Sequence, residues 1–231
     1  NPEPLADFFD AFVIGDGEEV MLEISDCVIG AKGEGGSKKD LLHSLSRIEG
    51  VYIPSLFDVR YEGNGTVKAI IPLNKGYQRV KKRWVQSLDD APFIGSPIVP
   101  YKQIVHDRLN LEIARGCTRG CRFCQAGILY RPVRERSLET LKELAENSLK
   151  RTGYSELSLS SLSTGDYSSI VELLVSLMRE CAPQRIAVSF HSLRYETLTP
   201  ALIEEIKKVR KTGFTIAPEA GTQRLRDIIN K

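Results

Sequence analysis

Three cysteines, Cys117, Cys121 and Cys124, stand in one eight-residue loop, Cys-Thr-Arg-Gly-Cys-Arg-Phe-Cys, directly after the strand-like run Leu109-Asn110-Leu111-Glu112-Ile113-Ala114. Thiolates at this spacing can hold three irons of a four-iron cluster, leaving the fourth iron without a protein ligand and open to a small molecule. An open metal position points to chemistry rather than scaffolding. Zinc fits less well. The nearest further donors are His106 and the distant Cys27 and Cys181, and a tight three-cysteine loop closes poorly around a tetrahedral ion. Five cysteines, an odd number, in a chain showing no signal peptide and no long apolar span, argue against a disulfide framework and for reduced thiols in the cytoplasm. An electron-transfer ferredoxin would normally bring a fourth cysteine close by, and none is near.

The elements that must position this loop alternate. Strands are predicted at 109–114, 156–161, 185–190 and 214–218. Helices are predicted at 137–151 with Ser137 as cap, at 167–181, at 200–212 ending on Gly213, and at 222–230 capped by Thr222. Such an order builds right-handed β-α-β units on a parallel sheet, hence an α/β fold and part of a (βα) barrel. A barrel gathers its site at the carboxyl ends of its strands. Three polar stretches fall there: Ser161-Leu162-Ser163-Thr164-Gly165-Asp166, Ser189-Phe190-His191-Ser192-Leu193-Arg194 and Ile216-Ala217-Pro218-Glu219-Ala220-Gly221. The glycine turn can approach a ligand closely through its backbone, or Asp166 can simply cap the next helix. A lone histidine such as His191 is more often a satisfied structural group than a ligand.

Cys-x-x-x-Cys-x-aromatic-Cys after a strand, with Phe123 in the aromatic slot, resembles the signature of the radical S-adenosylmethionine (SAM) superfamily. The resemblance implies a [4Fe-4S] cluster on Cys117, Cys121 and Cys124 whose open iron takes the amino and carboxylate groups of SAM. It further implies reductive cleavage to a 5′-deoxyadenosyl radical, with an electron donor such as flavodoxin or ferredoxin. By position, Ser163, Thr164, Gly165 and Asp166 correspond to the superfamily's Gly-Gly-Glu stretch at the methionine amino group. Glu219 matches the glutamate near the ribose hydroxyls, and Lys231 or Arg194 would supply a cation to the methionine carboxylate. End to end, the chain resembles an uncharacterised bacterial family in which a cobalamin-domain-like amino part precedes a radical SAM core. Ser192-Leu193-Arg194 and Pro218-Glu219-Ala220-Gly221 are the more specific matches.

On that resemblance, residues 1–50 are the end of a Rossmann-like cobalamin-type domain, 51–106 a β-hairpin and linker, and 107–231 the first part of a radical SAM core. Asp10 to Glu19 reads as a short buried strand entering a turn and helix, like the last strand of such a Rossmann unit. The Asp-x-His-x-x-Gly cobalt-ligand motif is absent, so no motif supports cobalamin. The core ends in mid-repeat at Lys231, and the isolated chain is expected to be inactive through truncation. A methylthiotransferase acting on RNA or protein would bring three further amino-terminal cysteines, where only Cys27 stands. A cluster carrier or nucleic-acid-binding module without catalysis needs neither an open iron nor SAM.

Elsewhere the signals are weaker. The stretch Gly30 to Gly36 lacks phosphate-loop spacing and reads as a loop between helices. Val59 to Tyr61 and Val67 to Ile71 flank Glu62-Gly63-Asn64-Gly65 as a hairpin, and prolines at 92, 97 and 100 mark a linker. Lys81-Lys82-Arg83 beside Trp84 offers RNA charge and stacking, although a basic triplet is usually a solvated edge. Thirty-two basic against 30 acidic residues leave a net charge of +2, which gives no global case for nucleic acid or a membrane. Charge is uneven only locally. Arg115 to Arg136 holds six arginines and one acid, Glu135, a solvated basic loop or one that attracts an anionic substrate or cluster.

Overall fold

The structure is a computed structural model; it describes residues 2–102, 104–209 and 216–231, with Ala201 described by its backbone alone. The chain divides into two compact units, residues 1–86 and 87–231. In the first, β1 (Phe12–Val13) pairs antiparallel with β2 (Val51–Tyr52), and α1 (Val20–Gly33) and α2 (Lys38–Leu45) lie between them in sequence. β1 is half-buried, and its antiparallel partner differs from the parallel neighbour that a Rossmann-type last strand would have. Gly30 and Gly33 fall inside α1, so the expected loop shrinks to the few residues before Ser37. Ser37 ends it by starting α2 with a capping box, its Oγ accepting from Asp40 N at 3.2 Å while Asp40 Oδ2 accepts from Ser37 N at 3.3 Å. The expected hairpin forms from β3 (Phe57–Tyr61) and β4 (Val67–Pro72). The boundary expected at residue 50 is bridged by one core: Val20 and Leu45 pack with Val51, Ile53 and Tyr77. Arg83 of the basic triplet is held by Glu19 and Glu23 at 2.8 and 2.6 Å, so it is spent on the fold rather than offered to RNA.

The second unit carries a three-stranded parallel sheet of β5 (Leu109–Glu112), β8 (Glu156–Ser160) and β9 (Ala187–Phe190), in that spatial order. Leu109, Leu111, Leu157 and Leu159 alternate with polar residues, and the leucine face is the one that meets helices. Between β5 and β8 the chain forms β6 (Ala114–Arg115), α3 (Ala126–Leu129), β7 (Arg134–Glu135) and α4 (Leu138–Thr152). Ser137 caps α4 by accepting from Thr140 N, and Gly153 closes it in the left-handed conformation at φ 70°. α5 (Ile170–Cys181) follows β8, and its Leu173, Leu174, Leu177 and Met178 join Leu141 and Ala145 of α4 in the core. It starts three residues later than expected because Thr164–Asp166 winds as a separate 3-10 turn and the Tyr167 ring is buried, its hydroxyl donating to Arg136 O.

β9 starts two residues late because Arg185 takes a positive φ of 57°. α6 (Pro200–Ile206) starts with Thr199 as cap and Pro200 in its first turn, and is shorter than the expected 200–212. The rest of that expectation and the start of the 214–218 strand involve residues 210–215, outside the described residues. Ile216 makes a parallel bridge to Leu193, which continues the parallel order. α7 (Gln223–Ile229) is capped by Thr222 as expected. Among the described residues, no helix is long and apolar enough to cross a membrane.

Candidate active site around the cysteine loop

The cysteine loop leaves the sheet through a two-residue ladder that the sequence did not suggest. Ala114 and Arg115 of β6 pair antiparallel with Glu135 and Arg134 of β7, which pins both ends of the loop. Gly116 sits just inside with φ 94°, and a Cβ there would come within 2.6 Å of Tyr130 O and 2.9 Å of Pro132 O. Only glycine lets the two sides of the loop approach this closely.

Each of the three thiols is half-buried and free, and each sulfur accepts a hydrogen bond. Arg119 N reaches Cys117 Sγ at 3.5 Å and Gly127 N reaches Cys124 Sγ at 3.4 Å. The Arg194 guanidinium donates to Cys121 Sγ at 3.5 Å and, through Nε, to Glu196 at 2.5 Å. Donors aimed at sulfur fix the orientation of side chains that could ligate a metal. Among the described residues, no three His, Cys, Asp or Glu side chains converge on a single-ion site. The donor set suits a larger group: three soft sulfurs on the wall of one cavity, with cationic and amide donors behind them. The other cysteines stand elsewhere. Cys181 is the last residue of α5 and is buried, and burial pushes its thiol pKa up to about 11, while Cys27 packs beside the core of the first unit.

That cavity, about 760 Å³, gathers most of the residues singled out in the sequence. Cys117, Cys121, Cys124, Phe123, Ser163, Arg194, Glu219 and Lys231 all line it. Glu219 accepts from Lys231 Nζ at 2.9 Å, and the same ammonium lies 5.7 Å from the centre of the Phe123 ring. Two of the expected ligand groups, Glu219 and Lys231, therefore face the cysteine loop as a pair. His191 also lines the cavity, and its pKa moves down, first through partial burial and then through repulsion from Arg108.

The glycine turn departs from expectation. Thr164 is fully buried, and Ser161 Oγ bonds its hydroxyl at 3.3 Å. A Cβ on Gly165 would overlap the Thr197 side chain, so this glycine serves close packing against Thr197 and not approach to a ligand. Asp166 neither caps α5 nor lines the large cavity. Its carboxylate accepts Nε of Arg119 at 2.7 Å, a second bond from Nη2 of the same residue, and Ser163 Oγ at 2.7 Å. The Arg119 guanidinium holds its pKa below the usual range, burial opposing and Ser163 assisting. The turn thus braces the cysteine loop, and Ser163 is its only one of the four at the large cavity.

Two braces went unread in the sequence. Arg119, inside the cysteine motif, ties the loop to Asp166. Asn230 takes the left-handed conformation at the end of α7 and donates to Arg119 O at 2.9 Å and Gly120 O at 3.0 Å, while Arg122 N bonds Ile229 O. Asparagine just past a helix is a recognised stop signal, but nothing in the chain order says which loop it would meet.

A sheet of parallel strands with a three-cysteine loop at its carboxyl edge defines a class, and comparison with known proteins gives it a name. The model of the radical SAM superfamily matches residues 111–231, and a second model, for the amino-terminal part of radical SAM proteins, matches residues 1–54. The chain belongs to the radical SAM superfamily. Among curated relatives, the uncharacterized protein MJ0966 of Methanocaldococcus jannaschii is 36% identical over 230 residues, covering 99% of this chain and 42% of the relative. The fold is also similar to that of TsrM from Kitasatospora setae, a radical SAM methyltransferase. One structure of it, with cobalamin and a [4Fe-4S] cluster bound, aligns at TM-score 0.55 and 15% identity over 94% of this chain and 40% of that one. A second, with tryptophan substrate and the SAM analogue aza-SAM bound, aligns at TM-score 0.53 and 13% identity, covering 94% and 39%. The chain therefore spans about two fifths of the length of these relatives.

Proposed function

We propose that this chain forms the cluster-binding and SAM-binding part of an enzyme that cleaves SAM reductively. The observation that carries the reading is the convergence of Cys117, Cys121 and Cys124 on one cavity with Glu219, Lys231 and Arg194. The three thiolates would hold a [4Fe-4S] cluster, whose chemistry when bound and reduced would be to supply one electron for breaking the S–C5′ bond of SAM. The protein's own share is orientation and shielding. Arg194 donates to Cys121 Sγ and orients it. Lys231 would meet the methionine carboxylate, Glu219 the ribose hydroxyls and Ser163 the amino group, while Phe123 carries the Lys231 ammonium over its ring. Arg119 and Asn230 hold the loop still beneath them. Thr164, Gly165 and Asp166 act through the loop and not on SAM. Residues 1–54 are proposed to serve as the amino-terminal accessory part of the same enzyme, and cobalamin is left out because no motif in these residues would ligate it.

The test uses the full-length protein, reconstituted anaerobically with iron and sulfide. About one four-iron cluster per chain is expected, and dithionite with SAM should release 5′-deoxyadenosine and methionine. Protein that carries an intact cluster yet binds no SAM and forms no 5′-deoxyadenosine would return the chain to a cluster carrier.

A further inference from the structure

The cavity is longer than the groups just assigned require. Arg108 precedes β5 and Glu156 opens β8, yet both line the same space as the cysteines beyond the opposite strand ends. The strands are parallel, so the cavity follows them for the length of a four- or five-residue strand, about 13–17 Å. Its volume of about 760 Å³ lies in the upper half of the range for small-molecule sites, roughly 300–1,000 Å³. Beyond the carboxyl-end groups that face SAM, room and lining remain.

Two hydroxyls stand midway along the strands, below the carboxyl-end groups. Ser189 of β9 is 8% exposed and lines the cavity, and Ser158, its register partner on β8, is 1% exposed. Among the described residues, neither Oγ has a hydrogen-bond partner. Buried hydroxyls are nearly always satisfied by protein, water or ligand, so two adjacent orphans on one face of a sheet ask for a polar group from outside the chain. Charge says which kind. The four Lys and Arg side chains on this wall are each matched by an acid: Arg108 by Glu156, Arg119 by Asp166, Arg194 by Glu196 and Lys231 by Glu219. Among the described residues, an anion at the serines would meet no cation that is not already paired with an acid, whereas the Lys231 ammonium stands with Glu219 at the end given to SAM. A planar carboxamide, with one donor and one acceptor on an edge, matches two hydroxyls that can each donate and accept.

We infer that Ser189, with Ser158 buried beside it, forms a substrate subsite for a neutral carboxamide group, midway along the cavity-facing side of the sheet. The inference rests on the SAM reading, because it gives the carboxyl end to SAM and the remainder to the molecule attacked.

Benzamide and benzoate, alike in shape and different in charge, test it on the full-length protein by ligand-observed NMR. Benzamide should bind and remain bound at saturating SAM, and benzoate should not bind measurably. Ser189→Ala should weaken benzamide binding roughly 2- to 10-fold, the range for loss of one hydrogen bond. The same variant should keep its iron content and its thermal midpoint, since it removes a hydroxyl with no partner among the described residues. Benzoate binding as well as benzamide, no binding of either, displacement by SAM, or indifference to Ser189→Ala would each overturn the inference. So would a clear fall in thermal midpoint, which would make the hydroxyl structural. A protein that assembles its cluster but shows no preference for benzamide sinks this inference alone; one that shows the preference but holds no iron sinks the SAM reading alone.

Discussion

At the scale of single residues, the sulfurs and their donors decide what the loop can hold. Replacing Cys117, Cys121 or Cys124 by Ala should each abolish cluster assembly, whereas Cys27→Ala and Cys181→Ala should keep full iron content, measured by iron and sulfide analysis. Retained iron in any of the first three would refute the ligand set. Arg194 donates to Cys121 Sγ, and a donor to a cluster sulfur stabilises the more reduced state. Arg194→Met should therefore lower the cluster's reduction potential, read by redox titration; an unchanged potential would make the contact merely structural. Asp166 is a titration device of the opposite kind. Its folded pKa lies below the usual 3.8, chiefly through its bond from Arg119, so its contribution is complete above that value and disappears as pH falls through the folded pKa. Urea unfolding followed between about pH 5 and pH 2 should show a smaller loss of stability for Asp166→Asn than for the native protein. Equal slopes would show that the pair adds nothing.

At the scale of elements, the cysteine loop is held at three places: the β6–β7 ladder below it, the Thr164–Asp166 turn beside it and the end of α7 against it. Asn230→Ala removes two hydrogen bonds to the loop backbone and a left-handed residue that suits asparagine. Hydrogen exchange in residues 117–122 should quicken in that variant while β5 and β8 stay protected. Uniform change across the unit would mean that α7 supports the whole fold and not the loop. Gly165→Ala asks Thr197 to move out of a packed site and should cost about 1–3 kcal/mol in stability, measured by denaturant unfolding.

At the scale of the whole molecule, the second unit is a parallel sheet covered by helices on its leucine face, leaving the other face to the cavity. The division of labour is clear in β8, where Leu157 and Leu159 serve the core and Glu156 the cavity. Leu159→Ala should lower global stability by about 2–5 kcal/mol and the thermal midpoint with it. The lining residues keep their places until the unit unfolds, so iron content well below the midpoint should be unchanged.

The sequence by itself determined most of the second unit's strands and helices and the grouping of three cysteines in one loop, because both are local. Cysteine spacing, the Ser137 and Thr222 caps, and the two-residue alternation of β5 and β8 are set within a few residues, and each stands where it was expected. Parallel order then followed from alternation of strand and helix. What only the tertiary structure decided were partners across the chain. Asp166 suited a ligand turn equally well until Arg119, 47 positions away, claimed its carboxylate. Gly165 looked like room for a ligand until Thr197 filled it, and Asn230 looked like a helix end until it met the carbonyls of Arg119 and Gly120, 111 and 110 positions away. The paired serines were invisible for the same reason: Ser158 and Ser189 become neighbours only through the register of β8 on β9. A short polar side chain carries little local signal, and its role is set by whichever group the folded chain brings within hydrogen-bond reach.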